Sequence, residues 1–215
     1  LRVKAVGSGH SFTPIAVTDG ILVDLRRMSG IISADPGTGI VRAFAGTRLR
    51  ELNQALWAIG LAMPNLGDID QQTIAGAIAT GTHGTGARFQ GLASAIIGLR
   101  IVLADGSVVD CDADHDSDLF AAARVSLGAL GIITEVTLRC VPAFRLQAQE
   151  EPGRLPAIMA EIDDRFDSVD HFEFYWFPNT DRVLTKSNTR VPLDGPGRPL
   201  PGWRAWLDDE FLSNQ

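Results

Sequence analysis

With 215 residues, 45% hydrophobic and 21% charged, the chain has an ordinary globular composition, long enough for one large domain or for one domain and part of another. A chain of this length buries about 70% of the surface it exposes when unfolded; it needs no disulfide or metal staple, and Cys111 and Cys140, far apart and without CxxC spacing, read as reduced thiols. A formal net charge of −7 without a basic cluster argues against a nucleic-acid partner, and no apolar run approaches the roughly 18 residues of a membrane span.

Val3–Val6 reads as a short strand that breaks into Gly7-Ser8-Gly9-His10-Ser11. Two glycines allow a tight turn and close approach to a ligand, and His10 sits where a side chain would be presented to it. Taken alone, the stretch is most simply a polar surface turn. Ile21–Leu25, Ile31–Ala34 and Ile40–Ala45 are further strand-like runs, and the turn sequence "DPGTG" separates the last two. Thr47 is the expected N-cap of a helix. Leu49, Leu52, Leu56 and Ile59 recur on it at helical spacing until Gly60 stops it. That helix packs a core and carries no chemistry.

The stretch "NLGDIDQQTIAGAIATGTHGTGARFQG" is dense in glycine, threonine and alanine from Thr73 to Gly86, with His83 near its centre. Small side chains let backbone N–H groups reach something flat or anionic, and such a bond to a charged acceptor contributes about 1.5–3 kcal/mol. Small-residue helix packing explains the composition equally well. Loops 7–11 and 73–86 together suggest a ligand with phosphates and a planar part.

Ser94 to Cys111 reads as a hairpin turning at Ala104-Asp105-Gly106, and Asp116 to Ser126 as a helix with Leu119, Ala122 and Ala123 on one side. In "GIITEVTLRCV" Val136, Leu138 and Cys140 share one strand face while Glu135, Thr137 and Arg139 share the other. After Pro142 the texture changes, and a boundary near Val141 to Phe144 divides the chain into domains 1–142 and 143–215. In the second, Leu155 to Phe166 reads as a helix. "HFEFYWF" is a strand with Phe172, Phe174 and Trp176 on one face, and Val183 to Asn188 is its candidate partner. "VPLDGPGRPLPG" is a connector, and Trp203 to Phe211 begins another helix. About 70 residues with two strands would struggle to close a core, so this unit reads as unfinished.

Sharper motifs fail. "GTGARFQG" follows no βαβ strand, and "GSGHSF" lacks the lysine of a P-loop. His10, His83, His115 and His171 have no metal-ligand spacing, so no metal is expected. His115 lies in the acidic loop "DADHDSD", and His171 opens an aromatic strand as a structural residue. Ser11 beside His10 makes no hydrolase triad.

Three blocks in order carry a resemblance: "VKAVGSGHSFTPIAVTDG", "NLGDIDQQTIAGAIATGTHGTG" and "ARVSLGALGIITEVTLRCVP". The chain resembles the aldonolactone oxidoreductases, the L-gulonolactone and D-arabinonolactone oxidases, within the vanillyl-alcohol oxidase flavoprotein superfamily. The resemblance covers nearly the whole chain, most strongly residues 3–142, and "DHFEFYWFPNTD" resembles the start of that family's substrate domain. It implies an α+β fold: a two-part FAD-binding domain of the PCMH type, then the start of an antiparallel-sheet cap. It implies that Gly7, Ser8, Gly9 and Ser11 form the pyrophosphate loop. Thr73, Gly76, Thr80, Gly81, Thr82 and His83 would line the pyrophosphate and isoalloxazine, and Ile132 or Ile133 would meet the adenine end through the backbone. His10 would bond covalently to the flavin 8α-carbon, since a neutral imidazole is a nucleophile.

The reaction implied is hydride transfer from a sugar lactone or polyol to FAD, with oxygen or another acceptor taking the electrons. The family's substrate-activating residues are expected beyond Gln215, so no catalytic residue is assigned. Asp68 lies in a loop that either faces substrate or caps itself, and Gly67 is expected near the flavin C4a, leaving room for oxygen. The chain reads as a fragment lacking a leading segment and most of the cap, from a protein that is cytoplasmic or membrane-associated. An alditol or other alcohol oxidase of the superfamily and a non-catalytic FAD-binding module are the alternatives.

Overall fold

The structure, a computed structural model, describes residues 1–194 and Gly202. They fall into two compact units, Leu1–Gly84 with Gln90–Ala143, and Thr85–Phe89 with the chain from Phe144. The helix expected over Trp203 to Phe211 and part of the proline-rich connector lie outside the described residues.

In the first unit the order is β1 (Val3–Val6), β2 (Ile21–Asp24), β3 (Ile31–Asp35), β4 (Ile40–Phe44), α1 (Leu49–Ala58), β5 (Leu61–Ala62), α2 (Ile74–Ala79), β6 (Ile96–Val102), β7 (Val108–Asp112), α3 (Ser117–Ala123), β8 (Ile132–Arg139) and β9 (Val141–Pro142). Strands β1 and β2 form a parallel pair, and β5 and β9 an antiparallel one. The main sheet is antiparallel in the order β3-β4-β8-β6-β7.

Strand alternation gives this sheet two unlike faces. Val41, Ala43, Leu99, Ile101, Val136 and Leu138 face the core, together with Leu49, Leu52 and Leu56 of α1 and Ile74, Ala77 and Ile78 of α2. Arg42, Arg100, Asp110 and Glu135 form an ion ladder across neighbouring strands. Arg42 Nε lies 2.6 Å and Arg100 Nη1 3.3 Å from the Glu135 carboxylate, and Arg100 Nη2 2.7 Å from Asp110. The hydrogen-bonded Arg100 guanidinium holds the Asp110 carboxyl below its ordinary value. Both cysteines are buried and free, and burial pushes the Cys140 thiol up to about 11.

Two local expectations change. Thr47 does not cap α1; Arg48 holds the N-cap position and makes no side-chain cap bond. The Thr47 hydroxyl instead donates to Phe44 O (2.6 Å) and accepts from Gly30 N (2.9 Å), closing the turn between β4 and α1. Gly60 does stop the helix, at φ +77°. Helix α3 ends at Ala123, short of Ser126, with Arg124 as its C-cap, and the chain turns left-handed only at Leu127.

The second unit contains β10 (Arg145–Arg154), α4 (Leu155–Ala160), α5 (Ile162–Ser168), β11 (His171–Trp176) and β12 (Arg182–Val191). Its antiparallel sheet runs β10-β12-β11, so β12 pairs with "HFEFYW" as expected and also with a third strand that the sequence did not announce. The single helix expected from Leu155 breaks at Glu161 (φ −114°, ψ 10°), which lets Ile158 and Phe166 both join Phe172 and Val183 in a small core. Thr85–Phe89 is fastened into this unit. The Thr85 carbonyl accepts a bond from His171 Nδ1 (3.0 Å), and Phe89 stacks on the same imidazole at 4.9 Å. The Arg190 guanidinium lies between Phe89 (4.1 Å) and Phe144 (4.2 Å).

Among the described residues no helix is long and apolar enough to cross a membrane. No group of three or more His, Cys, Asp or Glu residues among them is placed to hold a metal ion.

Candidate functional site

The site begins where β1 runs out. A Cβ on Gly7 would lie 2.5 Å from Thr73 Oγ1, so the exit of β1 can press against the entry of α2 only without a side chain. Thr73 Oγ1 in turn accepts a bond from Gly76 N (3.2 Å), capping α2. A Cβ on Gly76 would meet that same oxygen at 3.0 Å. Backbone bonds from Leu49 N to Gln72 O, Ile74 N to Thr47 O and Ala75 N to Ala45 O fix α2 to the turn between β4 and α1. Its small residues therefore form a short packed helix and also one wall of an opening.

That opening is a cavity of about 300 Å³. Gly7, Ser8, Gly9, His10 and Ser11 line one side; Thr73, Gly76, Ala79 and Thr80 line another; Leu127, Gly128, Gly131 and Ile133 line a third. Lys4 also lines it, with its Nζ donating to Ile15 O at 2.8 Å. Ser8 Oγ is buried and has no hydrogen-bond partner among the described residues. An unmade bond at a buried hydroxyl costs about 1–3 kcal/mol, a cost that a partner from outside the described residues would relieve. His10 is exposed at this wall, between small neighbours.

Nine of the thirteen residues singled out from the sequence thus line one cavity: Gly7, Ser8, Gly9, His10, Ser11, Thr73, Gly76, Thr80 and Ile133. Gly81, Thr82, His83 and Ile132 are not among its lining residues. Gly81 makes the turn out of α2 at φ +69°, and the Thr82 hydroxyl bonds Gln72 Nε2 at 3.1 Å. His83 is exposed, with its Nδ1 donating to Gly84 O at 3.0 Å. The loop after Asn65 crosses this segment closely. A Cβ on Gly84 would lie 2.0 Å from Leu66 O, and one on Gly67 would meet His83 O and Thr82 Cγ2 at 3.2 Å. Asp68 is exposed on that loop. Ile132 precedes Ile133 on β8, so alternation sends the two side chains to opposite faces.

Of the third wall, sequence reasoning named Ile133 and missed Leu127, Gly128 and Gly131. Leu127 has φ 53°, and its N–H donates to Ala79 O at 3.1 Å. Left-handed backbone costs a non-glycine residue roughly 1–2 kcal/mol. The signal was the glycine punctuation of "SLGALG", which announces a turn at this point.

Comparisons with known proteins give the family and the fold. Residues 1–112 match the family model described as FAD binding domain, and residues 136–215 match the model described as D-arabinono-1,4-lactone oxidase. The chain is 44% identical over 210 residues to a Mycobacterium tuberculosis protein named L-gulono-1,4-lactone dehydrogenase, covering 98% of this chain and 48% of that one. It is 37% identical over 206 residues to the L-gulonolactone oxidase of Scyliorhinus torazame, covering 96% of this chain and 46% of that one. A cholesterol oxidase variant from Brevibacterium sterolicum shares the fold at a TM-score of 0.78 and 21% identity, over 88% of this chain and 40% of that one. The α+β fold is thus the one the sequence implied. The chain spans about half the length of the curated relatives it matches.

Proposed function

The chain belongs to the FAD binding domain family, and on that premise we propose that its cavity holds the cofactor of an enzyme that oxidises an aldono-1,4-lactone. The observation that carries the placement of FAD is the buried, unpartnered Ser8 hydroxyl in a wall of small residues. The wall fits a diphosphate: Ser8 can donate, and Thr73, whose oxygen already accepts from Gly76 N, keeps its hydroxyl proton to donate. Backbone N–H groups of the Gly7–Ser11 turn add donors without side chains in the way. Lys4 supplies positive charge at the wall while tied to Ile15 O.

FAD bound here would supply the hydride acceptor for oxidation of a carbinol carbon. His10 is assigned as the residue that would hold the flavin through a bond to its 8α-carbon, formed with loss of the imidazole N–H proton and one 8α C–H proton while two electrons pass through the flavin to oxygen or another acceptor, with Gly9 and Ser11 leaving its path clear. Oxygen or another acceptor takes the electrons onward. Gly67 is closely packed, since a Cβ there would meet His83 O and Thr82 Cγ2 at 3.2 Å.

The lactone substrate is supported by the names of the relatives at 44% and 37% identity, and by the match of residues 136–215. The test is anaerobic mixing of the flavin-loaded, full-length parent with L-gulono-1,4-lactone, D-arabinono-1,4-lactone, an alditol and a simple alcohol. A lactone should bleach the visible flavin band. Bleaching by the alditol alone would reject the lactone reading, and no bleaching by any of them would reject the enzyme.

A further inference from the structure

Among the described residues three non-glycines have positive φ: Asp116, Leu127 and Asn179. Aspartate and asparagine tolerate that backbone because their short polar side chains bond locally; leucine has no such relief. Leu127 is also the one of the three that lines the cavity. Its side chain contributes little inside the protein: the residue is 51% exposed and belongs to neither hydrophobic core. Its one backbone bond, to Ala79 O, would form equally well from glycine. Glycine is what the chain uses next door, at Gly128 (φ +70°) and Gly131 (φ +151°).

The leucine side chain is therefore held out at a conformational cost, beside a cavity, where the fold would prefer no side chain. An apolar group there cannot serve a diphosphate. Around it Ala79, Gly128 and Gly131 are small, so no bulky neighbour crowds the space it borders, and its apolar surface suits the face of a ring. We propose that Leu127 is an apolar lip that closes over a planar ring of the bound dinucleotide and slows its escape. The inference rests on the reading of this cavity as the FAD site.

The test uses the full-length parent with His10→Ala, so that FAD binding is reversible, and compares it with the same protein carrying Leu127→Gly or Leu127→Met. Flavin fluorescence during titration of the apoprotein reads the affinity, and a thermal melt of the apoprotein reads the fold. Leu127→Gly should melt no lower than its parent yet bind FAD about tenfold more weakly, with faster release. Leu127→Met, which keeps an apolar side chain, should bind within about threefold. Unchanged FAD affinity in Leu127→Gly, or a lower apoprotein melting temperature, would overturn the lip. No FAD binding by any of the three proteins would remove the cofactor reading beneath it, and the lip with it.

Discussion

Gly7 and Thr73 sit so close that a Cβ on the glycine would lie 2.5 Å from the threonine hydroxyl oxygen. The contact joins the two glycine-rich stretches, 66 positions apart in sequence, into one wall. It also couples the turn to the helix, because that oxygen caps α2 through Gly76 N. Gly7→Ala should displace Thr73, lose the cap and cost about 1–3 kcal/mol. The expected outcome is a lower denaturation midpoint together with less bound flavin. Gly106→Ala is the control: its φ of +87° is strained for alanine, but nothing lies within 4 Å. It should lose some stability and keep its flavin.

Ser8→Ala separates ligand binding from folding by sign. Removing a buried hydroxyl that has no partner should leave the apoprotein as stable or more so, by up to about 1 kcal/mol. It should weaken FAD binding by about 1.5–3 kcal/mol if the hydroxyl bonds a phosphate oxygen. Equilibrium unfolding of apoprotein and FAD titration measure the two. A variant that is less stable and binds FAD normally would make Ser8 a structural residue.

The two ends of the pH scale should act through different groups. Asp110 is held below its ordinary value by Arg100, so its contribution is present above the usual carboxylate range and lost as pH falls through the lowered one. Asp110→Asn should therefore lose less stability than the parent below about pH 4. The difference should be small and salt-sensitive, because the pair is exposed. Cys140 runs the other way. Its thiol is pushed up to about 11, so the fold favours the neutral form and loses stability as pH rises from about 9. Cys140→Ala should flatten that alkaline loss in pH-dependent melts, and native Cys140 should resist alkylation until the protein unfolds.

Where residue pattern follows from burial, the fold could be read in advance. Val136, Leu138 and Cys140 alternate with Glu135, Thr137 and Arg139 because the sheet has one apolar and one charged face. Leu49, Leu52 and Leu56 repeat because that side of α1 is buried in the core. β10 was illegible for the same reason: "RLQAQEEPGR" is almost wholly exposed along an edge and needs no alternation. Thr47 misled because a threonine before a helix is an ordinary cap, and only the fold brings Gly30 N to its hydroxyl. In the site, the glycine turns were visible, and so was Ser8 as a member of one. Its lack of a partner among the described residues was not, since that depends on what the other described segments fail to offer. The column of His171, Phe89, Arg190 and Phe144 joins residues from four distant parts of the chain, and no local pattern announces it.

The central claim is that the wall carrying His10 holds the flavin through a covalent bond to that imidazole. Trypsin cuts after Lys4 and Arg26, so His10 falls within a peptide running from Ala5 to Arg26. Mass spectrometry of that digest, made from flavin-loaded full-length parent denatured in acid, reads the claim directly. The account predicts a flavin adduct on this peptide, with fragmentation placing it on His10. The same peptide recovered wholly unmodified from protein that was fully loaded before denaturation would contradict it.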